Sequence, residues 1–156
     1  MARSKVYIET SVFSYLAARP SGDVIKLAKQ LQTRTWWETA RQGFSLFTSS
    51  VVLGEISKGD PGAAAARLRY AVDIPGLELD EEIATLADIL IASRAVPVEA
   101  ATDALHIAIS ARHGMTFLLT WNCAHINNPV RRQKIGEILS ALGYGGLTMA
   151  TPEELG

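Results

Sequence analysis

The sequence predicts an α/β fold, a mostly parallel central sheet of about five short strands flanked by helices. Apolar runs of three to five residues recur along the chain, too short to be helices. One or two helix-length segments separate successive runs, the spacing expected of crossovers between parallel strands. The chain has 156 residues, 48% hydrophobic and 20% charged, enough for a single domain over residues 1–156 whose sheet is covered on both faces.

Val6, Tyr7 and Ile8 read as the first strand, and Thr10 to Ala18 as a short helix carrying Val12, Phe13, Tyr15 and Leu16. "RPSGD" breaks that helix, and Asp23 caps a second one running to about Arg41. Its apolar stripe is uneven: Ile25, Leu27, Ala28, Leu31, Trp36 and Trp37. The tryptophan pair suits either the core or a dimer or partner surface. "FSLFTSS" reads as the second strand, with Ser49 or Ser50 capping a helix that carries Glu55 and Ile56.

"KGDPG" stops that helix, and "AAAARLRYA" forms another by propensity. Leu77 to Leu79 suggests a short third strand, and Glu81 to Ala95 has a clear helical period. Pro97 interrupts before a largely apolar helix from about Ala100 to His113, closed by Gly114. "TFLLT" is the fourth strand and "WNCAHINNP" a loop. A last helix covers Val130 to Leu142, and the final strand Leu147 to Met149 leads into a short tail.

Composition excludes some classes of protein. No apolar run approaches the roughly 20 residues that span a bilayer, and "MARSKVYIE" is too weakly apolar for a signal peptide, so the expectation is a cytoplasmic protein with no membrane partner. The one cysteine, Cys123, forms no internal disulfide, and with His125 offers too few ligands for structural zinc. A net charge of −1 is not that of a protein that coats nucleic acid.

In parallel sheets, ligands collect beyond the carboxyl ends of the strands. Several polar residues fall there. Glu9 follows strand one, Glu55 lies two turns into the helix after strand two, and Asn122 follows strand four. Asp103 stands near the start of the apolar helix. Each has an ordinary structural reading: Glu9 and Asp103 as helix-start acids, Glu55 as a solvated helix residue, Asn122 as a turn residue. His106 and His113 read as helix-face residues. A G-x-S-x-G elbow and Gly-rich phosphate loops are absent from the sequence.

"VYIETSVFSYL", "TSSVVLGEI" and "TDALHIAISARHGMTFLLTWN" together resemble the ordered motifs of PIN domains, over Val6 to about Met149. The resemblance implies a single PIN-like domain, and a VapC-like endoribonuclease, the toxin of a toxin–antitoxin pair, acting as a homodimer. It places Glu9, Glu55, Asp103 and Asn122 at the catalytic positions, with Glu9, Asp103 and Glu55 as ligands of Mg²⁺ or Mn²⁺. Thr10, Ser11 and Thr120 match the small hydroxyl residues that flank the substrate. Two positions depart from the pattern: Glu9 is longer than the usual Asp, and Asn122 is neutral where Asp is common. They motivate a second reading, a catalytically weakened PIN-fold binding protein that acts through a protein or RNA partner. Clustered carboxylates repel, so at least one is expected to keep its proton to unusually high pH.

Overall fold

The computed structural model describes residues 2–156. β1 (Ser4–Ile8) is the centre of one sheet, and α1 (Thr10–Ala17) leaves directly from its end. α2 (Val24–Glu38) and a tight helical turn lead into β2 (Phe44–Ser49). α3 (Ser50–Ile56) and α4 (Pro61–Ala71) carry the chain to β3 (Gly76–Leu77). α5 (Glu81–Ala92) and α6 (Ala101–Arg112) precede β4 (Phe117–Leu119), and α7 (Pro129–Ala141) precedes β5 (Thr148–Ala150). α8 (Pro152–Leu155) ends the chain.

The strand order is β3-β2-β1-β4-β5, with every pairing parallel. Val6 stands between Leu46 on one side and Phe117 on the other. Helices cover both faces, so β1 has no wet side: Val6, Tyr7 and Ile8 are fully buried. From β1 the chain steps outward to β2 and β3, then returns to β4 on the opposite side. The reversal makes the boundary between β1 and β4 the switch point of the sheet, the place where ligands collect in such folds.

Local chemistry sets most helix starts. Asp23, Asp60 and Asp80 accept from backbone N–H groups in the first turns of α2, α4 and α5. Gly114 takes a φ of 68° after α6, the left-handed turn that a Cβ disfavours. α5 ends at Ala92 rather than Ala95 because Arg94 turns left-handed at φ 63°. Arg131 braces that turn through hydrogen bonds to the carbonyls of Arg94 and Ala95.

Other boundaries differ from the sequence expectation. α2 ends at Glu38, β3 is Gly76–Leu77, and β5 is Thr148–Ala150. α2 keeps Trp36 of its expected stripe in the core but exposes Ile25 and Leu31. Gln30 and Thr33 are buried, while Val24, Ile25 and Leu31 are 78%, 67% and 53% exposed. Gln30 bonds Arg19 O and Ser21 N, and Thr33 accepts from the Trp121 indole at 2.7 Å. Trp36 is core, so it offers no partner surface; Trp37 is partly open. No helix among the described residues is long and apolar enough to cross a membrane.

Trp36 packs on Phe44, but its buried Nε1 finds no hydrogen-bond partner among the described residues. Trp36→Ala is expected to cost about 3–5 kcal/mol. Trp36→Phe costs less, because it also removes an unsatisfied donor. Val72→Ala, on a side chain 74% exposed, stays within about 0.5 kcal/mol. Urea midpoints of the three variants check the order.

Candidate functional site

Glu9 follows β1 at the switch point between β1 and β4. It is the N-cap of α1, and its Oε2 accepts from Ser11 N at 2.8 Å. Its Oε1 accepts from the hydroxyls of Ser11 at 2.6 Å and Thr120 at 2.5 Å. Those hydroxyls accept in turn from the N–H groups of Trp121 and Asn122, at 2.8 and 2.9 Å. Glu9 N–H donates to Leu119 O. The side chain is buried within this mesh.

Glu55 projects from α3 one step away. Its Oε1 accepts from Thr10 Oγ1 and from His106 Nε2, each at 2.6 Å. His106 is completely buried on α6, and its Nδ1 lies 2.7 Å from the Tyr7 hydroxyl. That hydroxyl lies 2.8 Å from Ser49 Oγ, which also accepts from Val52 N. One direction of donation satisfies every group: Ser49 to Tyr7, Tyr7 to His106 Nδ1, and His106 Nε2–H to Glu55. This assignment follows from the partners, since hydrogens are inferred. The reverse direction leaves the Ser49 proton with no acceptor among the described residues.

Charge follows from these contacts. Burial pushes the Glu55 carboxyl up, but hydrogen bonds from His106 and then Thr10 lead the effects that outweigh it and hold the group below its ordinary range. This runs opposite to the expected like-charge effect. Burial drives the Tyr7 phenol well above its ordinary value, only partly offset by Ser49, which keeps it a proton donor in the chain of bonds.

Asp103 sits one turn before His106 on the same face of α6. It caps no N–H; its Oδ2 pairs with His125 Nδ1 at 3.1 Å. The His125 N–H donates to Asn122 Oδ1 at 3.1 Å, so the Asn122 amide oxygen holds its own loop together. Asn122 is thus joined to Asp103 through His125. Cys123 is exposed and free.

Thr10, Ser11 and Thr120, expected beside the substrate, each commit their hydroxyl proton to a carboxylate: Thr10 to Glu55, Ser11 and Thr120 to Glu9. The expected acids share the edge but do not converge. Among the described residues no three His, Cys, Asp or Glu side chains gather to hold a metal. Glu9 accepts three hydrogen bonds, two at Oε1 and one at Oε2. Glu55 Oε2 and Asp103 Oδ1 take no protein hydrogen bond among the described residues. Carboxylate oxygens are the donor type that a hard divalent cation prefers, and Mg²⁺ commonly completes its shell with water and substrate phosphate. These two do not make a closed cage.

Sequence reading missed His106 and His125 as members of the site. His106 lies 99 residues from Tyr7 and 51 from Glu55, so no local spacing announces either contact. Several cations available for nucleic acid are also spoken for. Arg67 binds the carbonyls of Ile56 and Lys58, Arg112 pairs with Asp80 and Glu82, and Arg132 pairs with Glu154. No protein-family model and no curated protein matches the chain.

Because Glu55 ionises more readily folded than unfolded, it stabilises the fold above about pH 4.5, and this contribution is lost as pH falls through the lower folded value. Thr10→Val is expected to raise the Glu55 pKa and shrink that acid-side loss. Carboxyl carbon NMR against pH, beside acid unfolding curves, checks both.

Proposed function

We propose that the chain is a PIN-type, VapC-like endoribonuclease that hydrolyses RNA phosphodiester bonds with Mg²⁺ or Mn²⁺, as the toxin of a toxin–antitoxin pair. The observation that supports it best is placement. Glu9, Glu55, Asp103 and Asn122, picked out by ordered motifs, all lie around the carboxyl edge of a parallel sheet whose strand order reverses between β1 and β4.

Glu55 and Asp103 are the residues that would hold the ion. When bound, it would polarise the phosphate and lower the pKa of an attacking water. Thr10 and His106 keep Glu55 ionised and fixed in orientation. His125 steadies Asp103, and Asn122 anchors His125. Glu9 ties α1 to β4 and so sets the position of Thr10, its neighbour in sequence. In this division of labour Glu9 shapes the site rather than ligating within it.

A partner belongs to the same proposal. Val24, Ile25 and Leu31 leave apolar area open on α2, and an antitoxin or a second copy of the chain is the natural cover for it. This face replaces the Trp36–Trp37 pair as the surface of interest.

A second reading has its own support. With Glu9 spent on its cap, Asn122 spent on its loop and no three-ligand group, the edge also suits a catalytically weakened PIN-fold protein that binds a protein or RNA partner. The two readings part in one experiment. On the nuclease reading, the purified chain cleaves RNA with Mn²⁺, chelation stops it, and Asp103→Asn lowers the rate by more than about 100-fold. Glu9→Gln acts mainly on stability, by about 1 kcal/mol. Absence of metal-dependent cleavage by the unaltered chain favours the binding protein.

A further inference from the structure

A cavity of about 590 Å³ lies at the opposite end of the sheet from the acids. It opens along the amino-terminal half of β2. β3 pairs only with Thr48 and Ser49, so Phe44 to Phe47 have β1 on one side and no strand on the other among the described residues. Thr48 N–H points toward the β3 side, donating to Pro75 O at 2.9 Å. Main-chain groups alternate sides along a strand, so Leu46 presents its N–H and C=O to the open side, and Phe44 its C=O. The Phe44 N–H is already taken by Arg41 O.

The cavity is cationic. Arg3, Arg41 and Arg69 line it against one acid, Asp73, and none of these four makes a salt bridge among the described residues. The Arg41 guanidinium lies 4.5 Å over the Trp37 ring, which meets Tyr70 edge-on at 5.7 Å. Stacking fixes Arg41 while leaving its N–H edges free for an oxyanion.

We propose that this cavity docks an acidic peptide segment in extended conformation, added alongside β2 next to β3. Two features select the occupant. Leu46 offers both a donor and an acceptor, and a peptide main chain answers both, whereas a phosphodiester backbone supplies acceptors only. Arg41 already covers a face of Trp37, which leaves that face closed to a base. The three arginines then admit an acidic strand and turn away a basic one. The site does not rest on the nuclease reading, since it uses none of those residues.

The probe is an acetylated, amidated hexapeptide alternating Glu and Val, titrated against the full chain by tryptophan fluorescence, with hydrogen exchange of the Leu46 amide read by NMR. The expected result is saturable binding that slows Leu46 exchange by more than about tenfold and weakens by at least about tenfold in the Arg41→Ala, Arg69→Ala double variant. Both arginines are outside the core, and circular dichroism confirms that the double variant is folded. No binding overturns the proposal. So does binding that leaves Leu46 exchange unchanged, equal binding of a peptide with Lys in place of Glu, or tighter binding of oligouridylate.

Discussion

Tyr7, His106 and Glu55 come from β1, α6 and α3, and they meet in a line of hydrogen bonds through an otherwise apolar interior. Ser49 extends the line at one end and Thr10 at the other. Each polar group is satisfied only because the next is in place. Deleting one leaves a buried neighbour without a partner, which costs more than the bond itself contributes. The line therefore sets how α6 docks on the sheet and how α3 docks on α6.

The arrangement of the acidic edge follows. Hydroxyl and imidazole donors hold Glu55 ionised on one oxygen and leave the other oxygen outward. Asp103, one turn from His106, is carried to the same edge by the helix that His106 anchors. Glu9 stitches β1 to β4 through Thr120 and starts α1 through the Ser11 amide. Glu9 thus holds at α1 the capping place that Asp23, Asp60 and Asp80 hold at α2, α4 and α5. In the structure Glu9 is a joint between β1, α1 and β4.

Much of this was legible in the sequence where the signal is local. The cap Asp23, the stop at Gly114, the strand at Val6 to Ile8 and the parallel α/β class rest on neighbouring residues, and the structure has them. Periodicity misled at α2, where Gln30 and Thr33 are buried by hydrogen bonds to partners that no window of α2 contains. α8 is too short for a period, although Thr151 and Glu154 form a capping box that the sequence does spell. The edge positions of Glu9, Glu55 and Asp103 were visible from strand ends and motif order. Their partners were not: His106 sits among Ala and Ile residues on a buried helix, and nothing nearby marks it as the acceptor of a tyrosine from β1.

The central claim is that His106 accepts from Tyr7 at Nδ1 and donates to Glu55 from Nε2. Nitrogen NMR of the chain labelled at histidine tests it directly. The account predicts a His106 ring with Nε2 protonated and Nδ1 bare, with a slowly exchanging Nε2–H that loses its protection in Glu55→Gln. A proton on Nδ1, or an Nε2–H that exchanges freely in the unaltered chain, would contradict it.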